Sequence, residues 1–403
     1  MHRIALPPRP DLDDIAQTAG FRLLEMNGEP YWDEATAYRF TLDQVETDLE
    51  DPATELHAMC REAVSRIVED ARLMARFAIP EAHWDLVRAS WRAGEQEFYG
   101  RLDLAYDGTG PAKMLEYNAD TPTSLYETAA FQWDWLVNRK EAGVLPADAD
   151  QLNLVYERMV ERLRAIMAPG TDLHCASLGG MEENFEDYAT VETIGYAARE
   201  AGLGAHYTPL EDIGLTEDGQ FADSEDRVIA TLFKLYPWED MLRDPFAENL
   251  ATAQCRFLEP AWKALVSNKA ILPVLWEMFE GHPNLLASFF DDDVEARTDA
   301  VGRAVDAGHF ADGQVSKPVF SREGASVRIT RSDGEIIEAA SNRDYDAHAR
   351  IVQAYRPLPV FDGMRPVLGL WVVGEATCGM GIREDASRIT QDLSRFKPHV
   401  IVS

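Results

Sequence analysis

Four polar side chains on two short predicted strands are the residues in this sequence best suited to chemistry. Arg101 and Asp103 alternate with apolar residues in the first strand, and Glu116 and Asn118 do so in the second. Because successive side chains of a strand point to opposite faces, the polar residues of each strand share one face. Two carboxylates and an amide oxygen are hard ligands that Mg²⁺ accepts, usually with water and phosphate oxygens. The guanidinium of Arg101 suits a phosphate or carboxylate oxygen.

A turn must bring these two strands together. Residues 107–111 read Asp-Gly-Thr-Gly-Pro, a strong turn signal, which predicts an antiparallel hairpin with the four polar groups on one face. An equally good interpretation of the hairpin alone is a solvent-facing surface whose charges pair across the strands. The next segment favours a ligand site, because residues 118–123 add polar groups just before a helix. Ser124 and Glu127 fit a capping box there, so free N–H groups could meet an anion.

Length and composition describe a protein with several lobes. With 403 residues, 46% of them hydrophobic and 27% charged, the chain is too long for one ordinary core and predicts two or three packed lobes. The first ten residues lack a signal-peptide core, and no stretch is apolar enough to span a membrane. We therefore expect a cytoplasmic protein with no membrane partner.

The charge of the chain restricts its partners. A formal net charge of −32 repels nucleic acid and anionic lipid and attracts a cationic substrate, although most of these charges are explained by a solubilising surface. The four cysteines have no CxxC spacing and indicate reduced thiols, with neither a metal site nor a disulfide framework. Nucleic acid is thus excluded as a partner, and the sequence makes no prediction of the oligomeric state.

The middle of the chain alternates helix and strand. A helix over 151–167, a strand over 173–178, a helix over 191–201 and a strand over 206–210 predict a βαβ-like unit. The first of these strands ends at Gly179-Gly180, followed by Glu182 and Glu183. Such a sequence is compatible with a ligand loop, but an ordinary turn is the more frequent outcome.

Two lysines stand out in the last third of the chain. Lys269 opens the apolar helix predicted over 271–279, and Lys317 lies in a strand-like segment over 314–319. Taken singly, each is more typical of a surface lysine. A glycine-containing loop over 320–327 follows Lys317 and could fold over phosphates, but its spacing matches neither GxxxxGK[ST] nor GxGxxG.

Seven motifs, in order from about residue 20 to the end, resemble the synthetase domain of the glutathionylspermidine synthase family. They are Arg101-Leu-Asp103, Glu116-Tyr-Asn118-Ala-Asp120-Thr-Pro-Thr, Lys234-Leu-Tyr-Pro-Trp-Glu239, Ser267-Asn-Lys269-Ala-Ile-Leu-Pro, Lys317-Pro, Arg322-Glu-Gly-Ala-Ser-Val327 and Phe396-Lys-Pro-His-Val-Ile. The resemblance implies a mixed α+β and α/β protein with an ATP-grasp fold and a Rossmann-like pre-ATP-grasp domain. It also implies ATP- and Mg²⁺-dependent amide formation between a peptide or small-molecule carboxylate and a cationic amine, through an acyl phosphate.

The resemblance further implies a division into three regions. Residues 1–150 would be an N-terminal helical region that carries the catalytic hairpin and packs on the ATP-grasp core. Residues 151–258 would form the Rossmann-like pre-ATP-grasp region, and residues 259–403 the nucleotide-binding lobes with their lid.

Residue roles follow from the same motifs. Asp103, Glu116 and Asn118 would be Mg²⁺ ligands, and Arg101 would be the catalytic residue that holds the transferred phosphoryl group. The other implied ATP contacts are Lys269 and Lys317 at the phosphates, Ser321, Gly324 and Ser326 in the lid, and Gln353 and Tyr355 at the adenine hinge. The implied substrate contacts are Thr121, Thr123 and Arg383 at the carboxylate, and Glu182 and Glu183 at a polyamine.

The sequence departs from the family pattern in two respects. Bifunctional members carry an additional cysteine-dependent amidase domain, for which 403 residues without a matching Cys/His region leave no room, so a stand-alone synthetase is expected. Thr121 and Thr123 replace expected serines, and Leu235 replaces an expected hydroxyl residue, so the peptide specificity is open. A non-catalytic ATP-binding regulatory protein and a phosphotransferase acting on a small acid are the competing functions.

Overall fold

The computed structural model describes residues 1–391 and 394–402. None of its helices has the length and apolar character needed to cross a membrane, within those residues. The α-helices are α1 Leu12–Ala19, α2 Leu42–Val45, α3 Asp51–Ile67, α4 Ala71–Arg76, α5 Trp84–Arg92, α6 Gln132–Glu141, α7 Val155–Ile166, α8 Phe185–Glu200, α9 Trp238–Met241, α10 Lys263–Val266, α11 Ile271–Met278, α12 Asp291–Glu295 and α13 Asp299–Asp306. Two π-helical turns, Glu46–Glu50 and Glu127–Phe131, lead into α3 and α6.

The strands are β1 His2–Ala5, β2 Glu25–Met26, β3 Glu29–Pro30, β4 Thr36–Phe40, β5 Tyr99–Ala105, β6 Lys113–Asn118, β7 Asp172–Ser177, β8 Gly204–Pro209, β9 Gly214–Leu215, β10 Phe221–Ala222, β11 Thr231–Leu235, β12 Arg256–Leu258, β13 Ser288–Phe290, β14 Gln314–Pro318, β15 Arg328–Thr330, β16 Ile336–Ala339, β17 Arg350–Ala354, β18 Arg365–Val373, β19 Ala376–Asp385, β20 Arg395–Lys397 and β21 His399–Ile401. Three larger sheets, which we call the hairpin sheet, the parallel sheet and the lysine sheet, organise them.

The hairpin sheet has the order β20-β19-β18-β5-β6 and is antiparallel throughout. The predicted hairpin is confirmed as β5 and β6, and the apolar parity is also confirmed, because Leu102 and Leu104 are completely buried. These two leucines pack in one continuous core with side chains of α3 and α11. The hairpin from the first third of the chain therefore joins strands from its last tenth in one sheet.

The parallel sheet has the order β12-β11-β7-β8. Helix α8 connects β7 to β8 and packs on both strands, as the predicted βαβ unit requires. Strand β11 begins at Thr231 and includes Lys234 as its last residue but one. This sheet is the Rossmann-like part of the fold.

The lysine sheet has the order β13-β17-β14-β15-β16 and is antiparallel. Its central strands β14 and β17 contain Lys317 and Gln353, respectively. The apolar helix predicted after Lys269 is confirmed as α11, whose first six residues are all buried. Lys317 therefore lies in a strand, whereas Lys269 lies in the turn between α10 and α11, two residues before α11 begins.

Helix α3 begins at Asp51 and continues a longer helical segment. The helical segment begins ten residues earlier, where Thr41 and Gln44 form a complete capping box. A π-helical turn, Glu46–Glu50, directly precedes α3. Because the hydrogen bonds of this wider turn already depart from the α-helical pattern, Pro52 is tolerated there although it has no N–H to donate.

Candidate active site

The hairpin joins its four polar side chains into one hydrogen-bonded group. The register pairs Arg101 with Asn118 and Asp103 with Glu116. Arg101 donates from Nε to Asp103 Oδ1 at 2.7 Å and from Nη2 to Oδ2 at 3.1 Å, and Asn118 Nδ2 donates to the same Oδ2 at 3.0 Å. The side chains of Arg101 and Asp103 are only 13% and 14% exposed. The shared polar face is confirmed, and it lies in a cleft rather than on an open surface.

Arg101 is fixed from three sides. Its Nη1 donates to the carbonyl oxygen of Thr123 at 2.7 Å, and its guanidinium carbon lies 5.9 Å from the ring centre of Trp371. Gly369 on β18 leaves room for it, because a Cβ atom there would be 2.7 Å from Arg101 Cδ. Burial alone would lower the pKa of Arg101, but the Asp103 carboxylate raises it overall.

The two lysines reach the hairpin from different elements. Lys269 Nζ lies 3.2 Å from Glu116 Oε2 and donates to the carbonyl oxygen of Ser321 at 2.8 Å. Lys317 Nζ donates to Gln353 Oε1 at 2.8 Å and to the carbonyl oxygen of Leu115 at 3.0 Å. Lysines that lie about 150 and about 200 positions later in the sequence are therefore gathered around Glu116.

The charges of this group shift its pKa values. Burial on its own would raise the pKa of Glu116, but Lys269 and Lys317 lower it to about 2. Burial lowers the pKa of Lys317 to about 8, and Glu116 opposes this only in part. Near neutral pH the group therefore holds a carboxylate and a lysine whose positive charge is easily lost.

A first cleft, with about 750 Å³ of unfilled space including its open mouth, lies between the hairpin sheet and the lysine sheet. Its polar lining includes Asp103, Glu116, Lys269, Lys317 and Gln353. Arg356, Arg388 and Thr390 also line it, and the rest of the lining is mostly apolar: Leu115, Val315, Val327, Ile329, Ala354, Tyr355, Leu358, Val367 and Ile389. The charged residues of this cleft thus suit phosphates, and its apolar residues suit a flat ring.

A second, smaller cleft lies on the other side of Asp103. It is lined by Arg101, Asp103, Ser124, Thr128, Val367, Gly369, Trp371, Gly381, Arg383, Thr390 and Phe396. Asp103, Val367 and Thr390 line both clefts. Two guanidinium groups make the second cleft suitable for a carboxylate.

The predicted lid residues divide into two groups. Gly324 lines the first cleft, and the Oγ atom of Ser321 is buried without a hydrogen bond among the described residues. Ser326 is turned away, because its Oγ accepts from the backbone N–H of Tyr345 at 3.2 Å. Of the three, Gly324 therefore lines the first cleft, whereas the Ser321 hydroxyl is buried beside it in the loop and Ser326 already has a partner.

The predicted substrate residues are less closely gathered. Arg383 lines the second cleft, and the Thr123 carbonyl binds Arg101, but neither Thr121 nor Thr123 is among the described residues that line the two clefts. Glu182 forms an exposed salt bridge with Arg22 at 3.1 Å, and Glu183 accepts from the N–H of Gly180 at 3.1 Å. These two glutamates lie on the loop before α8, outside both linings as described.

The donor set suits Mg²⁺ held together with a nucleotide. Asp103 and Glu116 provide carboxylate oxygens on opposite strands, and Asn118 lies beside them. Within residues 1–391 and 394–402, no group of three or more His, Cys, Asp or Glu side chains could hold a metal ion. Two carboxylates and an amide leave coordination positions for phosphate oxygens, as Mg²⁺ prefers.

Sequence reasoning missed several residues of the site. Residues 388–390, in the segment between β19 and β20, line the first cleft, and a Cβ on Gly324 would be 2.5 Å from Ile389 Cγ2. At the second cleft, Tyr31 OH donates to Glu127 Oε1 at 2.8 Å and lies 3.1 Å from Ser124 Oγ. Burial, reinforced by Glu186, raises the pKa of Glu127 to about 7. Ser124 and Glu127 were expected only as a capping box, and no motif spacing indicates the other residues, because only the tertiary fold brings them to the site.

Known proteins resemble this chain in sequence and in shape. A Haemophilus influenzae protein named for acid–amine ligase activity is 36% identical over 98% of both chains. The trypanothione synthetase of Crithidia fasciculata is 29% identical over 84% of this chain, which spans 52% of that protein. The apo structure of a glutathione synthetase-like effector from Globodera pallida has a TM-score of 0.59 at 12% identity and covers 97% of this chain and 96% of its own.

The fold and these relatives place the chain in the class of acid–amine ligases with an ATP-grasp fold. The model of one family, described as glutathionylspermidine synthase pre-ATP-grasp, matches residues 3–402. The chain belongs to the glutathionylspermidine synthase family, as its motifs predict.

Proposed function

We propose that this protein joins a peptide or small-molecule carboxylate to a polyamine or another cationic amine, using ATP and Mg²⁺, as a glutathionylspermidine synthase-like ligase. The observation that carries the proposal is the position of Asp103, which lines both clefts and binds Arg101 between them. A nucleotide in the first cleft and an acid in the second would meet at this pair.

The first cleft is the proposed nucleotide site. Its apolar residues would take the adenine ring beside Gln353 and Tyr355, and Lys269 and Lys317 would neutralise phosphate oxygens. Ser321, Gly324 and Ser326 would belong to the lid that closes over the phosphates. Lys317 is already oriented for this role by Gln353, whose Nε2 also donates to the carbonyl oxygen of Met114 at 3.2 Å.

Asp103, Glu116 and Asn118 would hold Mg²⁺. A bound Mg²⁺ would offset the triphosphate charge and favour an in-line attack on the γ-phosphorus. The fit is also electrostatic, because the pKa of Glu116 is lowered to about 2 and its carboxylate is therefore ionised at neutral pH.

The reaction needs activation because a carboxylate and an amine do not condense in neutral water. An oxygen of the acid, placed by Arg101 and Arg383, would attack the γ-phosphorus, and ADP would leave. The amine nitrogen would then attack the acyl carbon, inorganic phosphate would leave, and the ammonium proton would be released. Arg101 would stabilise the charge that develops on the transferred phosphoryl group.

Water must be excluded while the acyl phosphate exists. Gly324 of the proposed lid packs against Ile389 and Thr390, so both segments would close over the first cleft. Thr121 and Thr123 would face the acid, and Glu182 and Glu183 would face the amine. The formal net charge of −32 would help to attract a polyamine.

Omission assays of ADP release test this proposal. With glutathione, spermidine, ATP and Mg²⁺ present, we expect ADP release that stops when any one of the four is left out. ADP release that continues without an amine would instead indicate a phosphotransferase acting on a small acid. Binding of ATP without ADP release under any combination of acids and amines would indicate a regulatory protein.

A further inference from the structure

A buried ion pair connects the parallel sheet to the loop that follows the hairpin. Lys234 Nζ, at the end of β11, donates to Asp120 Oδ1 at 2.6 Å. The other carboxylate oxygen, Oδ2, accepts from the backbone N–H of Trp238 at 2.8 Å. The side chains are 0% and 1% exposed, so water competes for neither partner.

The loop held by this pair carries proposed ligands on both sides. Asn118 lies two residues before Asp120, and Thr121 follows it directly. Two further contacts hold the same loop, because Tyr99 OH donates to the carbonyl oxygen of Pro122 at 3.3 Å and Arg101 to that of Thr123. Tyr99 and Arg101 both belong to β5 of the hairpin sheet, whereas Lys234 reaches the loop from β11 of the parallel sheet.

We propose that Lys234 is a positioning residue which, through Asp120, holds residues 118–123 in the geometry that binds Mg²⁺ and the acid. The inference rests on the proposed function. Lys234 itself touches neither substrate: its ammonium is completely buried against Asp120, and its charge also lies 4.7 Å from the ring centre of Trp238. Its position would make the parallel sheet a rigid support for a loop of the active site.

The competing explanation is a buried pair that contributes only to stability. Removing one partner of such a pair leaves an uncompensated charge and destabilises any protein, so a loss of stability alone decides nothing. A positioning role instead predicts a change in loop mobility and in the KM for the acid. These effects must persist when the unpaired charge is also removed.

Three variants separate the two explanations. Lys234→Met breaks the pair, and Lys234→Met/Asp120→Asn removes both charges while leaving an acceptor for the Trp238 N–H. Arg9→Met is the matched control, because Arg9 and Glu34 form an ion pair at 2.9 Å whose side chains are 0% and 1% exposed. Hydrogen exchange of the peptide containing residues 119–124 is measured in each, with steady-state kinetics in glutathione, spermidine and Mg²⁺-ATP.

In both Lys234 variants we expect hydrogen exchange of this peptide to be at least tenfold faster than in the wild type. We also expect the KM for glutathione to be at least tenfold higher. The double variant should be more thermally stable than Lys234→Met, but its KM for glutathione should stay raised. Arg9→Met should lose stability with the KM unchanged. A KM that returns to the wild-type value together with stability in the double variant, or loop exchange equal to that of Arg9→Met, would overturn the positioning role.

The two proposals fail separately. If the wild-type protein shows no ADP release that depends on acid and amine, the proposed function is wrong. Hydrogen exchange still tests the support of the loop by Lys234 in that case, and unchanged exchange in Lys234→Met overturns it.

Discussion

Asp103 and Glu116 lie directly opposite each other on neighbouring strands of the hairpin. Like charges in this arrangement weaken a sheet unless other groups compensate them. Here Arg101 binds Asp103 with two hydrogen bonds, and Lys269 lies 3.2 Å from Glu116. Cations from two parts of the chain therefore compensate the charge of the carboxylate pair. This arrangement is expected at a site for Mg²⁺ and phosphate.

Asp103→Asn should abolish turnover without unfolding the protein. An asparagine carries no charge and cannot accept both hydrogen bonds of Arg101, so the expected fall in kcat is at least about 100-fold. Steady-state ADP release and circular dichroism provide the measurements. Asp85→Asn, at a side chain that is 98% exposed, is the control and should behave as wild type. Retained activity in Asp103→Asn would contradict the metal assignment.

Gly369→Ala should lower activity by displacing Arg101. The added Cβ would lie 2.7 Å from Arg101 Cδ and 3.2 Å from its Cγ, so the guanidinium must move. The matched control is Gly302→Ala in α13, where nothing lies within 4 Å of the added Cβ. That control should keep full activity and gain roughly 0.5–1 kcal/mol in the free energy of unfolding, since glycine is unfavourable in a helix. Equal activities of the two variants would contradict the role of Arg101.

The pH dependence of ATP use should reveal Lys317. Burial lowers the pKa of Lys317 to about 8, below its ordinary value of 10.5, so the charge on its ammonium is lost as the pH rises through about 8. We expect kcat/KM for ATP to fall above that pH, because this parameter reports the ionisation of the free enzyme. Lys317→Arg should remove the decrease, since a guanidinium stays protonated. The same decrease in Lys317→Arg would assign it to another group.

Salt should weaken the use of a polyamine. The formal net charge of −32 attracts a polycation over a distance that added salt shortens, so the KM for spermidine should rise with ionic strength. An amine with a single positive charge is the control and should respond less. Electrostatic attraction of the amine would be excluded by a KM for spermidine that stays constant as the salt concentration rises.

The local part of the site could be predicted from the sequence. The strand parity at Arg101 and Asp103, with the turn at 107–111, determines the hairpin, because both signals depend on near neighbours. The meeting of Lys269 and Lys317 with Glu116 has no such signal, and only the family resemblance brought them together. Arg383 reaches the second cleft from β19, whose register with β18 depends on the whole sheet.

Other features could not be predicted because they depend on tertiary contacts. Residues 388–390 line the first cleft from an irregular segment that has no motif. The hydrogen bond from Tyr31 to Glu127 spans 96 positions, and Glu127 alone fitted a helix cap. The division into residues 1–150, 151–258 and 259–403 stays a prediction, although the hairpin of the first region forms part of a sheet with β18, β19 and β20.

The central claim is that the acid is activated by the γ-phosphoryl group of ATP before the amine attacks. The most direct test uses glutathione labelled with ¹⁸O in its glycine carboxylate, together with spermidine, ATP and Mg²⁺. Our account predicts that each turnover transfers one ¹⁸O atom from the acid to the released inorganic phosphate, which mass spectrometry detects. Amide formation with phosphate that contains no ¹⁸O would contradict it.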